Sequence, residues 1–155
     1  MSTLDESPKL RRGYELVFTV DEYYDGPRTG VASFHGEPHF YDCVFDEKRS
    51  NYSNLFQLTP LDQQTFELAL AAWRIWRKWE IAYHERKVKW ESHPALRADT
   101  TKYRKMSKQL KRLLNTDPRR SITRTGHFAP ITNSKLPKGV LHYFQVKWSR
   151  PSVVR

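Results

Sequence analysis

Apolar and polar residues alternate along GYELVFTVDEYYDG: Tyr14, Leu16, Phe18 and Val20 fall on one side, Glu15, Thr19 and Asp21 on the other, with Val17 out of step. A period of two predicts a β-strand, and Asp25-Gly26-Pro27 ends it in a turn. GVASFHG reads as a second short strand. Gly36 to Pro38 is expected to turn the chain next, because glycine accepts positive φ and proline does not sit inside a central ladder. HFYDCVFD predicts a third strand and NLFQLTP a short fourth.

From residue 60 the period changes. TPLD reads as a helix start, with Thr59 as N-cap, Pro60 in the first helical position and Asp62 three residues after the cap. No glycine or proline follows until after Trp90, which predicts a helix of about 45 Å. Phe66, Ala69, Leu70, Trp73, Trp76 and Tyr83 share one face, and Leu68, Ala72, Ile75 and Trp79 widen the apolar stripe. Pro94 breaks the pattern. A second helix is expected from about Thr100 to Asn115, with Tyr103, Met106, Leu110, Leu113 and Leu114 at helical spacing and lysines and arginines on its other faces. Strands around Ile122–Phe128 and Val140–Trp148 follow, separated by a loop containing Pro, Asn, Ser and Gly.

These elements predict one α+β domain over residues 1–155. Strands within 1–58 form an antiparallel, barrel-like or bent sheet, and a helical hairpin spans 60–115. Strands within 120–150 return to complete the sheet. The sheet is expected to pack on one long aromatic helix, beside a second, basic helix.

Composition sharpens this picture. Phe, Tyr and Trp make up 14% of the chain although hydrophobic residues total only 38%, so a few large rings must supply much of the core. No apolar run approaches the ~18 residues of a membrane span, which predicts no membrane partner. The opening MSTLDESPKL is polar and acidic, unlike a secretory leader. Cys43 is the single cysteine, so no internal disulfide forms, and a reducing, cytoplasmic setting is expected. The net charge of +10 divides into −5 over residues 1–62 and +15 over residues 63–155. That asymmetry suits a polyanionic partner, DNA or RNA, or an acidic protein.

His35, His39 and Cys43 lie around the expected hairpin, with Asp42 and Asp46 nearby, but no metal-ligand spacing such as CxxC or HExxH occurs. His39 and Cys43 read as hairpin residues and a buried thiol, and neither a metal nor a cofactor is expected. Nucleotide-cradling glycine loops and a G-x-S-x-G elbow are absent. Glu80 and His84 lie four apart on the long helix, the spacing of an acid–base pair and equally of an ordinary surface pair. The tryptophans of WRIWRKW read as core rather than as a membrane-interface face. The strongest signal is KYRKMSKQLKRLLNTDPRRSITR, where nine lysines and arginines accompany one acid, Asp117. Clustered cations gain phosphate affinity through counterion release. The candidate nucleic-acid-binding residues are Lys105, Lys108, Lys111, Arg112, Arg119, Arg120 and Arg124. The plainer explanation is a solvated lysine-rich helix face.

The string YYDGPRTGVASFHGEPHFYDCVFDE, followed by LTPLD and LALAAWRIWRKWEIAYH and ending near HPAL, resembles a group of small bacterial proteins of uncharacterised function. The resemblance extends to the closing GHF and VKW segments. It implies no catalytic residues and no activity. It also implies a frequently acidic group, so the positive charge belongs to this chain rather than to a shared role. The sequence therefore predicts a small non-enzymatic binding protein contacting nucleic-acid phosphates through the basic helix and loop. The alternative is a protein-interaction or regulatory module presenting the Tyr23–Phe45 hairpin or the far end of the long helix. A metal-dependent hydrolase or nuclease stands third.

Overall fold

The computed structural model describes residues 9–132 and 135–152. The polar opening over residues 1–8, expected not to be a leader, and residues 133 and 134 of the expected loop lie outside them. Seven strands, β1 (Glu15–Val17), β2 (Glu22–Tyr23), β3 (Pro27–Phe34), β4 (Glu37–Asp46), β5 (Asn51–Pro60), β6 (Ile122–Ile131) and β7 (Tyr143–Ser149), form one antiparallel sheet in the order β1-β7-β6-β5-β4-β3-β2. β1 also pairs with β3 through Val17 and Ala32, so six strands close into a barrel and β2 lies on its edge. The helices are α1 (Gln63–His84) and α2 (Thr100–Leu113), joined by a segment with two short 3-10 turns.

Closure follows from side-chain size at a few inward positions. Cross-strand partners share a face of the sheet, so Gly30, Tyr41 and Leu58, aligned across β3, β4 and β5, all point inward. Tyr41 is fully buried and its hydroxyl donates to the Thr19 carbonyl at 2.8 Å. A Cβ on Gly30 would stand 2.3 Å from that carbonyl and 2.6 Å from the tyrosine hydroxyl, so only glycine fits there. Gly126 makes the same kind of room for Trp148 and Phe56, whose rings pack with Phe128 at 5.2 to 5.7 Å.

The first predicted strand is shorter than its alternation suggests. After Val17, the N–H groups of Phe18 and Thr19 both donate to the Val31 carbonyl, a bulge that ends regular pairing. The out-of-step Val17 is thus an inward residue, buried against the core. The β3–β4 turn is His35-Gly36, not Gly36 to Pro38. Both residues take positive φ (53° and 80°), as a two-residue hairpin of the favoured twist requires, and Pro38 lies within β4 opposite Ser33. Glu15 holds this turn by accepting from the His35 and Gly36 amides.

Helix α1 starts and stops elsewhere than expected. Thr59 and Pro60 complete β5, and the Thr59 hydroxyl accepts from the Asp117 amide. Asp62 is the N-cap, accepting from Thr65 N at 2.7 Å. At the other end Arg86 adopts φ 62°, and the amides of Arg86 and Lys87 donate to the carbonyls of Tyr83 and Ala82. This is a Schellman stop closed by arginine where glycine is usual, so the helix ends at His84 instead of running to Trp90. Helix α1 meets the outside of the barrel, with Phe66 edge-on to Phe18 at 4.8 Å and Glu80 accepting from the Leu141 amide at 2.8 Å. Trp79 donates to Ser92 and meets the ring of His93 at 4.7 Å, folding the connecting segment back on α1. Among the described residues no helix is long and apolar enough to cross a membrane.

Gly30→Ala is expected to lower unfolding free energy by about 1–3 kcal/mol, the usual cost of overpacking, read from a denaturant melt. Unchanged stability would mean that the Thr19–Tyr41 contact is not a tight seam.

Candidate functional site

Seven cations form the sequence-predicted site, and the fold separates them. Lys105, Lys108 and Arg112 are exposed and share the face of α2 opposite Tyr103, Met106 and Leu110, which turn toward the body of the protein. Helix α2 contains no acidic residue and buries none of its side chains fully. Lys111 stands on the flank and lines the cleft between the helices and the barrel. Lys111 and Arg112 also occupy the last helical turn, where cations complement the helix dipole. Arg119 and Arg120 follow in the turn after the helix, and the Arg120 guanidinium, 2.9 Å from Asp117, holds that carboxyl below the usual range. Arg124 belongs elsewhere. It pairs across the sheet with inward-facing Phe56, lies over the Phe34 ring at 5.4 Å and donates to the Thr123 carbonyl.

Polar anchors fix the basic helix to the barrel. Thr116 donates to Asp42 Oδ2 on β4 at 2.8 Å, Asp117 N donates to Thr59 on β5, and Ser121 donates to Gln57 at 2.8 Å. The segment after α2 therefore crosses two strands with a hydrogen bond at each step. The outward cations inherit a rigid base, although their own side chains stay solvated.

Between the barrel and the two helices lies a cleft of about 870 Å³, lined by Asp21, Asp42, Trp73, Trp76, Tyr103 and Thr116 among others. Asp21 is an exposed residue at the mouth of this cleft, yet the protein packed around its carboxyl pushes it up to about 6, against the opposing hydrogen bond from Thr19 and with help from Glu22. Burial likewise raises the Tyr103 phenol, and the Asp21 charge adds to that shift, which places the two groups in one electrostatic neighbourhood.

The hairpin histidines and cysteine do not converge. His39, Tyr41 and Cys43 all point into the barrel, and four residues along a strand separate His39 from Cys43 by about 13 Å. His39 Nδ1 lies 2.9 Å from the Glu37 carbonyl, which assigns it the proton. Cys43 donates to the Ser53 carbonyl at 3.1 Å, and burial raises its thiol despite Arg28 nearby. A thiol held protonated is a poor nucleophile. Glu80 and His84 are not a pair either: both Glu80 oxygens are taken, Oε1 by Arg77 at 2.6 Å and Oε2 by Leu141 N. Among the described residues no three His, Cys, Asp or Glu side chains gather as a metal site requires.

The Arg77–Glu80 pair is a feature the sequence reading missed. Both side chains are more than nine-tenths buried. The Arg77 guanidinium lies between aromatic rings, 4.4 Å from the centre of Tyr143 and 5.4 Å from that of Trp73. Among the described residues its Nε and Nη2 have no hydrogen-bond partner, which costs about 1–3 kcal/mol in an otherwise satisfied interior. The available signal was two opposite charges three apart, set among Trp73, Trp76 and Trp79. Exposed aromatics mark another surface: Tyr23, Tyr24 and Phe45 are 54, 67 and 49% exposed, with Tyr52 between Tyr24 and Phe45.

A raised Asp21 pKa makes a pH prediction. Its folded value lies above the unfolded ~3.9, so protonation favours the folded state. The stabilisation is complete below about pH 4 and is lost as pH rises through about 6. Asp21→Asn should therefore melt at a higher temperature than the parent above pH 7 and converge with it near pH 4. An equal difference at both pH values would show that the carboxyl is not desolvated.

No protein-family model, curated protein or solved structure matches this chain.

Proposed function

We propose that the protein is a non-enzymatic binding protein that contacts nucleic-acid phosphates through the outward face of α2. The observation that carries this reading is the unopposed row Lys105, Lys108 and Arg112 on a helix without acids, anchored to the barrel through Thr116, Asp117 and Ser121. Lys102 and Arg104 flank the row, and Arg119 extends it beyond the helix end. A 14-residue helix is about 21 Å long, which spans several phosphates on one strand. No aromatic side chain of the helix stands beside the row except the inward Tyr103, and Lys108 also borders a pocket shared with Arg104 and Glu91. Contact with backbone phosphates, with little choice of sequence, is the chemistry it suits. Arg124 is not part of this contact, because its guanidinium lies over Phe34.

A second reading, a protein-interaction module, draws on the aromatic patch of Tyr23, Tyr24 and Phe45. Exposed rings of this kind are the usual anchors of protein interfaces, and they lie on the hairpin region named for that role.

Binding of labelled DNA and RNA across a salt series tests the first reading. The log–log slope of affinity against salt is expected between about −3 and −6. Reversing Lys105, Lys108 and Arg112 together to Glu should flatten it by about 3 and weaken low-salt binding at least tenfold. Lys48→Glu, on the β4–β5 turn, should leave both unchanged. Absence of binding at low salt, or a slope untouched by the triple reversal, would contradict the reading and favour a protein partner at the aromatic patch.

A further inference from the structure

A groove of about 1400 Å³ runs between α1 and the barrel, on residues that the outward face of α2 does not share. Phe18, Ile81, Ile131 and Tyr143 give it apolar walls. Lys9, Arg11, Arg74, Lys78, Lys87 and Lys135 line it as well, and Arg77 forms part of its wall. Among the described lining residues Glu85 is the only carboxylate, and it lies 3.1 Å from Lys87 Nζ. Lys78 has a looser contact with Asp99 at 3.8 Å. The groove therefore combines an apolar interior with a marked excess of positive charge.

Arg77 supplies an independent observation. Tyr143 and Trp73 cover its guanidinium and Glu80 takes Nη1, leaving Nε and Nη2 without partners among the described residues. Those two N–H groups form the edge of a guanidinium that grips a carboxylate or phosphate with two parallel hydrogen bonds; both are sealed from solvent here, so a ligand reaches them only as a covering ring, Trp73 or Tyr143, swings aside. A core arginine kept only for packing would be expected to satisfy that edge with a backbone carbonyl. An aromatic or short aliphatic group would occupy the apolar walls while its anionic end met Arg77 and the exposed Arg74 and Lys78.

We propose that this groove binds a small amphipathic organic anion, a carboxylate or phosphate ester carrying an aromatic or aliphatic group, with Arg77 as the fixed anion contact and Arg74 and Lys78 as adjustable ones. The site is separate from the phosphate contact on α2 and stands or falls independently of it.

Naphthyl phosphate is a suitable probe, titrated calorimetrically into the full chain while the Trp73 indole resonance is followed. Saturable binding near 100 µM or tighter is expected, about what a ligand of this size achieves at ordinary efficiency, with a shift of the Trp73 signal. Naphthalene methanol, which lacks the charge, should bind at least about tenfold more weakly. Arg77→Lys keeps the charge but loses the two-pronged edge and should weaken the phosphate ester about tenfold. The double variant Arg74→Glu/Lys78→Glu alters only exposed positions and decides the matter if Arg77→Lys does not fold; it too should weaken binding about tenfold. The α2 triple reversal should leave the affinity as it was, separating this site from the nucleic-acid contact. No saturable binding, equal affinity for the neutral alcohol, or indifference to the double variant would overturn the proposal. Binding to phosphatidylglycerol vesicles that the double variant abolishes, without binding of the soluble ester, would also overturn it and assign the groove to a lipid surface.

Discussion

Three residues hold the barrel shut. β1 spans only Glu15–Val17, pairing with β7 along its length and with β3 through Val17 alone. Immediately beyond it the chain bulges against Val31, and Thr19 receives the buried Tyr41 hydroxyl in the space that Gly30 leaves open. Without this seam β7 would be a free edge and β3 would keep only the two-residue β2 beside it, and the interior rings of Tyr41, Phe56, Phe128 and Trp148 would lose a wall. Barrel closure removes that exposed edge. Everything outside the barrel is placed by it: α1 rests on its outer face, and the segment following α2 is hydrogen-bonded across β4 and β5.

The two helices play different roles. α1 is bound in by rings and by the buried Arg77–Glu80 pair, whose second carboxylate oxygen holds the start of the segment leading into β7. Removing either partner would strand the other charge in the interior, which is far more costly than replacing both with apolar residues. α2 is held by its apolar side and by the polar anchors of residues 116–121, and it presents its cations to solvent. A fixed helix with mobile charged tips suits contact with a flexible phosphate chain, because the electrostatic gain does not depend on a single side-chain geometry.

Much of the architecture was legible because it was written in periodicity. Alternation marked the hairpin strands, and helical spacing located both helices and separated the half-buried Tyr103, Met106 and Leu110 from Lys105, Lys108 and Arg112. What stayed hidden was encoded in single backbone conformations and long-range partners. Arg86 stops α1 in a left-handed conformation that glycine would have announced, and His35 similarly conceals the hairpin turn. Thr59 looks like a helix cap locally, yet its hydroxyl serves Asp117 from 58 residues away. In the candidate site, charge alone could not distinguish Arg124, folded over Phe34, from the solvated cations of α2. The unsatisfied edge of Arg77 depends on Tyr143, Trp73 and Glu80 meeting in space, and no local pattern states it.

The central claim is that α2 forms the phosphate-contacting surface, and mapping a bound oligonucleotide by backbone amide shifts tests it most directly. A short single-stranded oligonucleotide titrated into isotopically labelled protein should shift the amides of Lys105, Lys108, Arg112 and Arg119, with smaller effects at the anchor Thr116. Shifts gathered instead at Tyr23, Tyr24 and Phe45, or along the groove beside Arg77, would contradict it and move the site to another face of the protein.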